Sequence, residues 1–96
     1  MELDVMSFVE NSANPVVVKF GGEWCAPCKQ VGAMLEDLKT KHYFDLLEVD
    51  VGTYASVANR FSVSTLPTLL VYRKGEPVKR FEGVVSAQTI ERLLTA

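Results

Sequence analysis

The chain has 96 residues, 48% hydrophobic and 23% charged, with ten Lys and Arg against twelve Asp and Glu. A chain of that length is expected to make one domain, residues 1–96, around a single core. Near-balanced charge with no single-sign block excludes nucleic-acid or membrane-surface binding driven by charge, and no apolar run is long enough to span a bilayer.

The start, Met1-Glu2-Leu3-Asp4, is acidic, and no basic region leads into an apolar stretch. No secretory signal is therefore expected, and the cytoplasm is the expected compartment. Val5, Phe8 and Val9 are helix-spaced, which predicts a first helix over about residues 3–12, ended by Asn11, Asn14 and Pro15. Val16-Val17-Val18-Lys19-Phe20 reads as a strand covered on both faces, broken by Gly21-Gly22. From Pro27 to about Lys41 the spacing of Cys28, Val31, Leu35 and Leu38 predicts a long amphipathic helix. Leu46 to Val51 reads as a second buried strand. A short helix follows on Tyr54, Val57, Ala58 and Phe61, with Thr53 as candidate cap.

Thr68 to Tyr72 and Val78 to Glu82 flank the short connection Lys74-Gly75-Glu76-Pro77, so they should form an antiparallel hairpin. Ser86 can cap a last helix that carries Ile90, Leu93 and Leu94 on one face. The first two strands, joined through a helix, should lie parallel. The predicted fold class is α/β, with a four-stranded mixed sheet and helices on both faces.

The chemistry is concentrated in Glu23-Trp24-Cys25-Ala26-Pro27-Cys28-Lys29, where a strand hands over to a helix. Two thiols three positions apart at a helix start can reach each other and cycle between dithiol and disulfide. As a structural staple the pair would close a tiny loop and remove little unfolded-state entropy. Cys25 falls at the positive end of the helix, where free N–H groups and the dipole stabilise the reactive thiolate. Pro27 is tolerated in that first turn, where its missing N–H has no partner to lose. Cys28 lies on the apolar stripe. Cys25 is therefore read as the attacking thiol and Cys28 as the resolving one. Zinc is disfavoured, because one C-x-x-C supplies two ligands and His42, the only histidine, reads as a solvated surface residue.

These residues resemble the thioredoxin family. Trp24 to Lys29 is similar to its Trp-Cys-Gly-Pro-Cys-Lys signature with Ala26 in place of Gly, and Leu47-Glu48-Val49-Asp50-Val51 is similar to its strand before the third helix. Leu66-Pro67-Thr68 resembles the segment holding the family's cis-proline, which faces the active site; from the residues alone Pro67 is a loop proline before a strand. Phe81-Glu82-Gly83 resembles the late strand and glycine that complete the substrate groove. The resemblance implies a thioredoxin-like three-layer fold and a substrate groove at Trp24, Thr65, Leu66, Pro67 and Gly83. It also implies a monomer with no bound cofactor, whose redox-active Cys25–Cys28 disulfide reduces target proteins. A thioredoxin-reductase-type flavoprotein drawing on NADPH would recharge it.

The departures are specific. Lys19 stands where the family has a buried Asp beneath the cysteines, and Gly21 where it often has Trp. Ala33 replaces a helix-kinking proline, with Gly32 able to permit a bend, and the short N-terminus leaves the first edge strand missing or rudimentary. Lys19 either snorkels to solvent at its strand end or pairs with Glu48 on the neighbouring strand near Cys28. Trp24 is either a loop anchor or a substrate contact. Two other readings stay open: a specialised relative with its own reductase or target, and a non-catalytic module that uses the groove for assembly.

Overall fold

Val16 to Gly21 form β1, and all six residues are buried, as a β-branched run covered on both faces requires. The computed structural model describes residues 3–95. Its elements run α1 (Val5–Glu10), β1 (Val16–Gly21), α2 (Ala26–Lys39), β2 (Asp45–Asp50), α3 (Ala55–Arg60), β3 (Thr68–Arg73), β4 (Glu76–Glu82) and α4 (Ala87–Thr95). The described strands form one mixed sheet in the order β2-β1-β3-β4. β1 lies parallel to β2 and antiparallel to β3, and β4 closes an antiparallel hairpin with β3. Among the described residues no strand precedes α1.

Strand alternation divides the core into two layers. On one side Val16, Val18 and Phe20 pack with Val5 and Val9 of α1 and with Val57 and Ala58 of α3. On the other, Val17, Leu69 and Val71 pack with Val31, Leu35 and Leu38 of α2 and with Ile90 of α4. The hairpin turns through Lys74 and Gly75, both at positive φ (54° and 78°), which suits a two-residue connection. Ser86 caps α4 as expected, its Oγ accepting from the Thr89 N–H at 3.2 Å. Among the described residues no helix is long and apolar enough to cross a membrane.

Several local expectations are corrected. β2 is a sheet edge in which only Val49 is buried, since it has one strand neighbour instead of two. α1 is shorter than the spacing predicts: Asp4 caps it by accepting from the Ser7 N–H, and Phe8 stays exposed. Thr53 is not the cap of α3. Tyr54 holds that position without a side-chain bond, while Asp50 Oδ1 accepts from the N–H groups of Gly52 and Thr53 at 2.8 and 3.0 Å. Gly21 does not break β1 but ends it, and α2 stops at Lys39 with Thr40 as its cap.

Candidate active site

β1 and β2 end side by side, Gly21 opposite Asp50 in register, and the Val51 N–H donates to the Gly21 carbonyl at 2.9 Å. The chain then turns through Gly22, the Cys25 N–H donating to the Gly22 carbonyl at 3.2 Å. Cys25 is itself the N-cap of α2, and its Sγ accepts from the Cys28 N–H at 3.2 Å. Ala26 and Pro27 make the first helical turn and are exposed. Pro27 therefore sits where its missing N–H would have had no partner.

Cys25 and Cys28 are joined as a disulfide with Cα atoms 5.2 Å apart. Their surroundings differ as the helix stripe predicts: Cys28 is buried, whereas Cys25 is partly open to solvent. The α2 N-terminus adds a local positive potential at the Cys25 sulfur, which favours thiolate once the bond is reduced. This asymmetry lets an outside sulfur meet Cys25 but not Cys28.

Beside Cys25 runs a groove of about 500 Å³ lined by Trp24, Leu66 and the Asp50-Val51-Gly52 turn. Trp24 is 93% exposed, so it does not anchor the loop, and its indole is free to meet another surface. Leu66 reaches toward Gly22, where a Cβ would lie 3.5 Å from its Cδ1. The Leu66–Pro67 peptide is cis. Thr65, Pro67 and Gly83 do not line this groove. They are tied in beside Leu66, the Gly83 N–H donating to the Pro67 carbonyl at 2.8 Å and the Thr68 hydroxyl to the Thr65 carbonyl at 2.5 Å.

The sequence pattern overlooked Asp50, Val51 and Gly52 as groove residues. The signal was available: sites form beyond the carboxyl ends of neighbouring parallel strands, and Asp50 ends β2 with Val51 and Gly52 just beyond it, as Trp24 lies beyond β1.

Behind the cysteines, Lys19 is buried and its Nζ lies 3.4 Å from Glu48 Oε2. The side chain thus pairs with its neighbour and does not reach past Phe20 to water. His42 is also paired, its Nε2 lying 2.7 Å from Glu91 Oε2 with 21% of the side chain exposed, so the solvated reading of His42 is corrected. Among the described residues no group of three His, Cys, Asp or Glu is placed to hold a metal.

Comparison with known proteins places this geometry. The family model described as thioredoxin matches residues 4–96. The chain is 34% identical over 91 residues to the chloroplastic thioredoxin Y of Oryza sativa subsp. japonica, covering 92% of this chain and 54% of that protein. It is 38% identical over 89 residues to a thioredoxin of Mycobacterium tuberculosis, covering 91% of this chain and 77% of that one. The chain therefore spans about half the length of the rice relative and most of the mycobacterial one. Among solved structures, the reduced thioredoxin pre-protein of Schistosoma mansoni superposes with a TM-score of 0.80 at 30% identity, covering 93% of this chain and 85% of that one.

Proposed function

This chain belongs to the thioredoxin family and is a thiol–disulfide oxidoreductase, and from that premise we propose that it reduces protein disulfides with Cys25 attacking and Cys28 resolving. The carrying observation is the contrast between a partly open Cys25 at the α2 N-terminus and a buried Cys28. The Cys25 thiolate attacks one sulfur of the target disulfide, and the other target sulfur leaves and takes a proton from water. Cys28 then attacks Cys25 Sγ, the mixed disulfide breaks, and the second target sulfur leaves as a thiol. Two electrons have passed to the target, and the Cys25–Cys28 disulfide remains.

No bound cofactor is required, because the electron pair resides in the cysteines themselves. A target segment would lie in the groove with its sulfur at Cys25, one side against the Trp24 indole and the other along Leu66, as an added extended strand. A flavoprotein reductase using NADPH is the proposed source of electrons, and the protein acts as a monomer in a reducing compartment such as the cytoplasm, where a dithiol persists. The pairing of buried Lys19 with half-exposed Glu48 favours a second reading in which the same chemistry serves a dedicated reductase or target. Assaying turnover with several reductases distinguishes the two.

Reduction of insulin by dithiothreitol tests the assignment of roles. Cys25→Ser should abolish the catalysis, whereas Cys28→Ser should accumulate mixed disulfides with targets. Wild-type activity in Cys25→Ser overturns the roles, whereas a wild type that does not reduce insulin overturns the redox reading and leaves the groove as an assembly surface.

A further inference from the structure

Lys19 shares a face of β1 with Val17, the face that packs on α2, and its side chain is only 10% exposed. Its Nζ lies directly beneath the helix. A Cβ at Gly32 would stand 2.9 Å from that nitrogen, so the amine occupies the space that glycine leaves bare. Gly32 is four residues beyond Cys28 and therefore on the same side of α2. A Cβ at Gly21 would lie 3.3 Å from both Cβ and Sγ of Cys28 and 3.6 Å from Cε of Lys19. The two side chains thus flank one stretch of uncovered backbone.

The other charged groups facing this place are few. Glu48, in register with Lys19 on β2, holds the amine at 3.4 Å and is 51% exposed. Glu23 and Asp50 line the same cleft, and Asp50 is engaged by two backbone N–H groups. Lys29 on α2 is exposed. Lys19 is thus the buried charge next to Cys28, and its counterion stands half in water, where its influence is more strongly screened.

Taking Cys25 and Cys28 as the dithiol of the proposed function, we propose that Lys19 is a positioning residue of that cycle: its ammonium, steered by Glu48 and admitted by Gly32, favours the Cys28 thiolate and with it the reduced state. Reduction adds two electrons and breaks the S–S bond. Where Cys28 remains a thiolate, the proton it would have bound stays in solvent. In the resolving step that thiolate bonds to Cys25 Sγ, the bond from Cys25 to the target breaks, and the departing sulfur takes a proton from water.

A glutathione equilibrium and a thiol absorbance titration provide the test, applied to wild type, Lys19→Met, Glu48→Gln and the double variant. Lys19→Met should move the equilibrium about three- to tenfold toward the disulfide and raise the pH at which thiolate forms. Glu48→Gln, at an exposed site that folding tolerates, should move both in the opposite direction by leaving the ammonium uncompensated, and the double variant should fall between. A packing role would not give opposite signs. Single variants that match wild type, or shift the same way, overturn the proposal while the redox function stands. A wild type that forms no dithiol–disulfide equilibrium overturns the redox reading and this proposal together.

Discussion

Val16, Val18 and Phe20 of β1 press on α1 and α3, whereas Val17, Lys19 and Gly21 turn toward α2. The first set fills its side of the sheet with apolar volume from end to end, Phe20 also meeting Phe61 with ring centroids 5.5 Å apart. The second starts the same way at Val17 but, approaching the cysteines, changes to a buried amine and then to a residue with no side chain. One strand therefore supports two kinds of interior. The α1/α3 side contributes stability. The α2 side gives up packing beneath Cys28 to admit a charge and to let Cys28 approach the backbone.

That contrast is most easily broken by truncating its apolar side. Phe20→Ala removes a fully buried ring and should cost about 3–5 kcal/mol by urea denaturation of the oxidised protein. The glutathione equilibrium of the folded protein should not change. Lys19→Met should behave in the opposite manner, with a much smaller loss of stability, because Glu48 is half-exposed and water can replace its partner. If Phe20→Ala moves the redox equilibrium as far as Lys19→Met does, the two faces are not separable and the division of labour fails.

How far the sequence reveals this arrangement depends on the range of the interaction. The α2 stripe, the Cys25–Cys28 asymmetry and the hairpin are local, set by spacing within one turn or one short connection, and they were legible. The inward direction of Lys19 was also available, since strand alternation puts it on the same face as Val17. What left its pairing open was the room for it, which comes from Gly32 on another element. The half-exposed state of β2 follows from its place at the sheet edge, and no property of Leu46-Leu47 encodes strand order. His42 and Glu91 are 49 positions apart, beyond any periodicity. The Thr53 expectation failed locally, because Thr53 belongs to the turn held by Asp50 and α3 starts one residue later, with Tyr54 at the cap position.

A smaller effect should distinguish the two ends of the sheet. Gly75 turns the hairpin beside Arg73 and Glu76, at the end of the sheet away from the cysteines, and Gly83 follows β4 at the end nearest them. Both have positive φ, 78° and 91°, and a Cβ at either would meet nothing within 4 Å. The expected cost of Gly75→Ala and of Gly83→Ala is therefore conformational, about 1–2 kcal/mol each in urea denaturation. Only Gly83→Ala should also slow insulin reduction, because relieving the strain at its positive φ would displace the N–H that donates to the Pro67 carbonyl, next to Leu66 of the groove. Equal loss of turnover in both would mean that stability, and not the groove, limits the assay.

The smallest effect concerns the titratable group buried on the apolar face. Tyr72 packs in the α1/α3 layer, and burial pushes its phenol above the ordinary value, while the nearby Arg80 guanidinium pulls it partly back. The neutral form is the protonated one, so a raised folded pKa means that the unfolded chain loses this proton first. Stability from the buried phenol is fully present below the unfolded pKa of about 10 and is lost as pH rises through the folded value. Urea midpoints of the oxidised protein, in which neither cysteine titrates, should accordingly fall at alkaline pH, and Tyr72→Phe should flatten that fall. Replacing Arg80 with Gln should steepen it by removing the opposing cation. That comparison is made on the slope with pH, because Arg80 also donates to the carbonyls of Phe61 and Ser62 at 2.6 and 3.0 Å and its loss lowers stability at every pH. An identical slope in wild type and Tyr72→Phe would show that the phenol reaches water when folded. The α1/α3 side would then lack the dry interior that distinguishes it from the side holding Lys19.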